Sequence, residues 1–236
     1  MSILNSWWRA LVALIFPPHC PVCDLPLGDE KGPICSPCLA SAPLTSDWAL
    51  RNDTPCDRLS VKGCEVRVVA MLKFHKAPQW RHLIHQFKYH SRWRLAREVG
   101  RLYGGKMAGS LFLSDVDWVI PMPLHPLRRM WRGYNQSEEL ARGIAEQTGL
   151  KVETKSVVRV RYTRSQVWRT REERSKNVQD AFRVAYPERL AGCHLLLVDD
   201  VLTTGSTMRT CIQAIVDAVP DCRISVAVLA DAGGGS

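Results

Sequence analysis

Residues 195–207 read LLLVDDVLTTGST and hold the densest chemistry in the chain. An uncharged run, 195–198, stops abruptly at Asp199-Asp200. Thr203, Thr204, Gly205, Ser206 and Thr207 then lead into a helical pattern near Met208. A loop of this kind ahead of a helix turns backbone N–H groups, hydroxyls and the positive end of the helix dipole toward one anion. Gly205 has no Cβ, so the backbone there can approach a phosphate closely. Two carboxylates beside an anion cradle repel the anion unless they face another part of the ligand, and sugar hydroxyls are the obvious partners. The plainer alternative is a capped strand-to-helix turn, since Ser and Thr are good caps in any case.

The second cluster is cysteine. Of nine cysteines, the first four read Cys20-Pro-Val-Cys23 and Cys35-Ser-Pro-Cys38, two CxxC pairs separated by eleven residues. That is a metal-clip spacing rather than a disulfide ladder. Two such knuckles close a tetrahedral site with Zn–S distances of about 2.3 Å. The intervening residues 24–34 include Pro26, Gly28, Gly32 and Pro33 and offer almost no core. Metal then supplies the missing stability, roughly 10–16 kcal/mol in small modules. Thiolate-bound zinc suits a reducing compartment, so the expected location is cytoplasmic. Cys56 and Cys64 open a second pair of knuckles, but Leu59 and Arg67 stand where the partner cysteines would be. Cys193, Cys211 and Cys222 stand singly and read as small buried hydrophobes.

These clusters need elements to position them. The Cys, Pro and Gly content falls near residue 65, which predicts two units, 1–65 and 66–236. In the first, residues 3–15 read as an apolar helix packing on the body; no stretch is long enough to span a membrane, and no signal-peptide cleavage pattern follows. In the second, Leu83, Ile84 and Phe87, then Leu95, Val99, Leu102 and Tyr103, recur at helical spacing. Strands are expected at 117–122, 152–160, 194–198 and 223–229, with helices at 136–146 and 208–219. Such alternation implies an α/β fold with a mainly parallel sheet. Residues 100–106 fit a GxxxxGK phosphate loop, but Met107 replaces the Ser or Thr and no strand precedes it.

The formal charge is +9. Residues 71–110 carry nine Lys and Arg against one Glu, and residues 159–176 carry seven against two, so the surplus sits in two blocks. A polyanion is a plausible partner on that ground.

The 195–207 segment resembles the phosphoribosyl pyrophosphate motif of type I phosphoribosyltransferases. With LIHQFKYH at 83–90, PMPLHPLRRMWRGYNQSEELA at 121–141 and RTREERSKNVQDAF at 169–182, the chain is similar over nearly its full length to the ComF family. The resemblance implies a type I phosphoribosyltransferase fold preceded by a four-cysteine zinc ribbon. It implies Mg²⁺ carried with the diphosphate, paired acids holding ribose hydroxyls, and residues 203–207 holding the 5-phosphate. The loop 123–132, with Arg128, Arg129 and Arg132, takes the pyrophosphate position. A mobile cover at 169–177 brings Arg169, Arg171, Arg174 and Lys176. No general base is fixed, Glu172 and Glu173 standing as open candidates, and acceptor specificity falls to the segment before residue 115.

Two function classes follow. One binds phosphoribosyl pyrophosphate and transfers the phosphoribosyl group to a nitrogenous acceptor. The other binds single-stranded DNA without catalysis, in competence or DNA utilisation and alongside other DNA-processing proteins. Trp80, Tyr89 and Trp93, interleaved with the first basic block, would stack bases there.

Overall fold

The strand that ends in the acid pair is β6, His194–Leu202, and its apolar run places it at the centre of a sheet covered on both faces. The computed structural model describes residues 17–30, 32–49, 56–61, 63–73, 78–88, 92–161 and 181–232. The expected helix at 3–15 and the cover at 169–177 lie outside them.

In chain order the described elements are α1 (Ser36–Ala40), β1 (Arg67–Lys73), α2 (Pro78–Lys88), α3 (Trp93–Met107), β2 (Trp118–Pro121), α4 (Pro126–Arg132) and α5 (Gln136–Thr148). They continue with β3 (Lys151–Val152), β4 (Val157–Arg159), β5 (Phe182–Val184), β6, α6 (Ser206–Ala218) and β7 (Arg223–Asp231). The main sheet has order β1-β7-β6-β2-β3, and every pair in it is parallel. A separate antiparallel pair joins β4 to β5.

The expected continuous strand at 152–160 is two short strands in different sheets. Glu153 bends the chain between them: its Oε1 accepts from the backbone N–H of Lys155 at 2.6 Å and of Ser156 at 3.0 Å. The carboxylate satisfies two donors locally, so the ladder does not continue.

Alternate residues of β6 feed two cores. Leu196 and Val198 pack with α2, α3 and α5, and that core extends to Cys20, Ile34 and Trp48 of the cysteine-rich region. Trp48 meets Tyr103 edge to face, with ring centroids 5.7 Å apart. Leu195 and Leu197 pack on the other face with α6 and with Leu59, Val61 and Cys64. The chain before β1 therefore covers both faces. It also meets the sheet edge, where Leu44 bridges Leu72 in antiparallel fashion.

Helices α3 and α5 cross at glycines. A Cβ on Gly143 would lie 2.1 Å from the Arg97 carbonyl oxygen, so only glycine permits this approach. Close packing there fixes the start of α5 beside the end of β6.

Candidate functional site

The three helices that frame the carboxyl edge of the sheet start where local chemistry dictates. Asn135 caps α5 by accepting from the Ser137 N–H at 3.2 Å, and its amide donates to the Met122 carbonyl at 3.0 Å. Helix α4 is held at both ends. His125 Nδ1 accepts from Leu127 N–H at 3.2 Å, Pro126 occupies the first turn, and Gly133 closes the helix with φ +78°. Gly205 enters α6 with φ +77°, a conformation that suits glycine, and the loop 203–207 wraps the helix start.

Between these elements lies a cavity of about 370 Å³. The residues expected from the sequence meet there: Asp199, Asp200, Thr203, Gly205, Ser206, Thr207 and Arg132 all line it. Thr204 does not. Its hydroxyl donates to Ser206 Oγ at 3.2 Å, on the exposed side of the loop. Arg171 and Arg174 lie outside the described residues.

The acids are held firmly. Ser137 Oγ donates to Asp199 Oδ1 at 2.8 Å, and the Asp200 N–H donates to the same oxygen at 2.9 Å. Asp200 is buried, and its Oδ1 accepts from Val201 N–H at 2.8 Å. Arg132 donates to Gln136 Oε1 at 3.0 Å, which sets the guanidinium against the cavity wall.

Three positions were not singled out as site residues by the sequence. Arg159, at the end of β4, lines the cavity with Arg128 and lies 5.3 Å above the Phe182 ring. Burial and the nearby Arg128 lower its pKa, and Asp199 opposes them. Three guanidinium groups, of Arg128, Arg132 and Arg159, thus share the cavity with two carboxylates, of Asp199 and Asp200. Ser137 lies in the first turn of α5, one residue after Gln136, and lines the cavity. Arg58 comes from the segment before β1: Nη1 donates to the Thr203 carbonyl at 3.0 Å, and Nη2 pairs with Asp231 at the end of β7. Leu59 beside it is fully buried, and a Cβ on Gly205 would come 2.8 Å from its Cδ2. For Arg58 and Arg159 the signal lies in long-range packing, which no local motif displays.

The four CxxC cysteines form a second centre. The sulfurs of Cys20, Cys23, Cys35 and Cys38 all lie within 4.8 Å of one another, and Cys23 and Cys35 are 3.7 Å apart. A tetrahedron with metal–sulfur bonds of about 2.3 Å has sulfur separations near 3.8 Å, so the donor set fits a thiolate-bound ion. Burial opposes ionisation of Cys20, but backbone donors around Cys35, Cys23 and Val22 outweigh it and bring the thiol to about 7. Among the described residues Cys56 and Cys64 join no metal-ligating group. Cys211 and Cys222 are buried as expected, whereas Cys193 at the mouth of β6 is partly exposed.

The first basic block is arranged differently from the expectation. Trp80 is a core residue, 4% exposed, and Tyr89 lies outside the described residues. Arg97 pairs with Glu139 at 3.2 Å, and Arg101 pairs with Glu98 and Glu146, so these cations clamp α3 to α5. Among the described residues no helix is long and apolar enough to cross a membrane.

An open parallel sheet with an acid pair and a Thr/Gly/Ser loop at its carboxyl edge defines the class, and residues 107–236 match the family described as phosphoribosyl transferase domain. The chain belongs to that family, in its ComF branch. It is 30% identical over 214 residues to the DNA utilization protein YhgH of Salmonella typhimurium, covering 86% of this chain and 92% of that protein. It is 32% identical over 136 residues to Competence protein F of Haemophilus influenzae, covering 53% and 57% of the two chains. Among solved structures, an adenine phosphoribosyltransferase aligns over 61% of this chain and 72% of its own, at 12% identity and a TM-score of 0.37.

Proposed function

We propose that the cavity binds phosphoribosyl pyrophosphate as its Mg²⁺ complex and transfers the phosphoribosyl group to a nitrogenous acceptor. The observation that carries this reading is the convergence on one cavity of Asp199 and Asp200, the glycine-started loop, and Arg128, Arg132 and Arg159. Thr203, Gly205, Ser206 and Thr207 hold the 5-phosphate at the start of α6. Asp199 and Asp200 accept from the ribose hydroxyls. The arginines hold the diphosphate, with Arg171 and Arg174 completing the enclosure from the cover segment. The acids and the diphosphate are hard oxygen donors, which suits Mg²⁺.

The chemistry needs no protein nucleophile. The acceptor nitrogen forms a bond to ribose C1 as the C1–O bond to pyrophosphate breaks. The electron pair departs with pyrophosphate, and the acceptor's proton passes to solvent. Fixed positive charge where the leaving anion develops is the main catalytic contribution, together with alignment of the two reactants.

The cysteine centre is proposed to hold a structural zinc ion in a reducing, cytoplasmic setting. Residues 1–65 then form a metal-clipped unit that buttresses the transferase-like domain 66–236. Its residues 56–61 reach as far as the anion loop.

Calorimetry with phosphoribosyl pyrophosphate and Mg²⁺ tests the binding. We expect saturable binding by the wild type and none by the Asp199→Asn/Asp200→Asn double variant; equal affinity for the two proteins overturns the reading. Pyrophosphate release in the presence of candidate bases tests the transfer.

A second reading is favoured by the relatives' names. Proteins called DNA utilization and competence proteins are similar in sequence to this chain, which supports a role in handling single-stranded DNA, alongside other DNA-processing proteins.

A further inference from the structure

We propose that Cys193 and Cys222 are a site of reversible thiol oxidation, closing as a disulfide across the starts of β6 and β7 when a low-molecular-weight disulfide such as oxidised glutathione is present. The site lies at the amino edge of the sheet and does not depend on the ligand read for the carboxyl edge.

Sheet register carries the inference. His194 of β6 pairs with Arg223 of β7, and the Arg223 N–H donates to the Cys193 carbonyl at 2.9 Å. Cys193 and Cys222 stand one step before that pair, side by side. They share a face of the sheet: Cys222 belongs to the core built with α6, and Cys193 packs against it. Neighbouring strands run about 4.8 Å apart, inside the roughly 4.4–6.8 Å of Cα separation that a disulfide spans. A turn pins each backbone, with the Cys193 N–H on the Leu190 carbonyl at 3.1 Å and the Cys222 N–H on the Val219 carbonyl at 3.3 Å.

A third thiol sharpens the pattern. Arg67 of β1 pairs with Ser225, and counting back along both strands brings Cys64 level with Cys222. The Ile224 N–H reaches the Cys64 sulfur, and Cys64 and Cys222 line one cavity of about 410 Å³. Packing alone accounts for Cys211, buried in α6 beside Asp199 and Arg159. It does not call for three cysteines at one level of adjacent strands. A shared metal ion does not fit the row either. Thiolates on one ion sit about 3.8 Å apart, whereas the outer two strands are separated by twice the strand spacing, about 10 Å.

Exposure assigns the order of events. Cys193 is partly exposed and meets the oxidant first. Its sulfur attacks one sulfur of the small disulfide, that S–S bond breaks, and one small thiol leaves with the Cys193 proton. Cys222 then gives up its proton and attacks the Cys193 sulfur, and the second small thiol leaves with that proton. Two protein thiols are oxidised and one small disulfide is reduced to two thiols. Burial, with Cys64, Asp221 and Cys193 beside it, pushes the Cys222 thiol up to about 11, which keeps it inert until a sulfur is delivered to it. The bond closes residues 193–222 into a ring that contains Asp199, Asp200 and the loop 203–207.

The test equilibrates the full chain in glutathione buffers from reduced to oxidised, traps free thiols by alkylation and maps linkages by peptide mass spectrometry. We expect a Cys193–Cys222 linkage that disappears when reduced glutathione is restored. Cys193→Ser should abolish it and Cys64→Ser should retain it. Oxidised wild type should melt about 5 °C above Cys193→Ser oxidised in parallel, as closing a loop of this length implies. Mapping the wild type needs no variant to fold. The proposal is overturned if oxidised glutathione yields no Cys193–Cys222 linkage, if Cys64–Cys222 forms in its place, or if disulfides are confined to Cys20, Cys23, Cys35 and Cys38. A linkage that forms only in denaturant also overturns it, because the sheet register would then not be its cause.

Discussion

The two edges of the central sheet carry cavities of similar size, about 370 Å³ at the carboxyl edge and about 410 Å³ at the amino edge. Both are lined by acids, arginines and hydroxyls, yet the polar groups are arranged differently. At the amino edge Asp115 accepts from Arg223 at 2.6 Å and from His194 Nδ1 at 3.0 Å, and His194 Nε2 meets Ser225 Oγ at 2.9 Å. The His194 N–H of the backbone donates to Asp117 at 2.8 Å. These groups bind one another and tie the starts of β6 and β7 to the end of the loop before β2. At the carboxyl edge, hydrogen bonds orient the acids, while the loop and the arginines converge on the cavity. Composition alone would rank the two edges together. Direction separates a structural relay from a cavity whose polar groups face its open space.

Gly205→Ala should break the carboxyl edge most severely. The left-handed φ of +77° strains any residue with a Cβ, and the new methyl would meet Leu59, which is packed in the core and has little room to yield. We expect about 2–3 kcal/mol of destabilisation in denaturant unfolding. Phosphoribosyl pyrophosphate affinity should fall by more than about tenfold in calorimetry, since the loop's N–H groups lose their common focus. Normal affinity in a destabilised variant would mean that the loop's geometry is dispensable for binding.

That glycine was legible in the sequence because everything it needs is local. An apolar run, two acids and a Thr/Gly/Ser loop follow one another within residues 195–207, and the parallel sheet follows from the alternation of strands and helices. Arg58 and Arg159 were not legible as site residues. Their roles depend on Leu59 packing under the loop and on Phe182 crossing from the partner strand of β4. The break at Glu153 was hidden for another reason: glutamate is a poor turn marker, and only its hydrogen bonds to Lys155 and Ser156 reveal the bend. Trp80 and Trp93 look alike as aromatic residues in a basic block. Burial makes one a core residue and leaves the other at the surface.

His194→Gln addresses the opposite edge and should leave ligand affinity intact. Loss of the link between Asp115 and Ser225 costs about 1–2 kcal/mol of stability at neutral pH. The pH dependence gives a sharper signature. Burial lowers the folded-state pKa of His194, with Arg223 and Arg67 adding to it and Asp115 opposing. As pH falls below the ordinary histidine value of about 6.5, the unfolded chain takes up a proton that the folded chain resists. Wild-type stability therefore declines with acidification in that window, and the variant, less stable at pH 7.5, should decline less. At lower pH, Asp115 continues the trend: burial raises its pKa, but His194 and Arg223 outweigh that and hold it below the usual carboxylate range. Thermal melts at intervals between pH 7.5 and 5 read the difference. Parallel curves for the two proteins would show that His194 does not carry the linkage.

Arg58→Ala is the mildest change and tests whether the region before β1 takes part in the carboxyl edge. The guanidinium joins the Thr203 carbonyl to Asp231, so it fixes the outer wall of the loop without entering the cavity lining. Its side chain is 32% exposed, and solvent screens the ion pair, so the stability cost should stay below about 1 kcal/mol. The loop would sample more conformations, and affinity for phosphoribosyl pyrophosphate should fall about three- to fivefold. Asp231→Asn should reproduce part of that loss, and Arg58→Lys should recover part of it by keeping one donor and the charge. If Arg58→Ala lowers the melting temperature but leaves affinity unchanged, the segment is a structural cover like the relay at the amino edge. If affinity falls while melting is nearly unchanged, the anion site is completed from outside the matched residues 107–236.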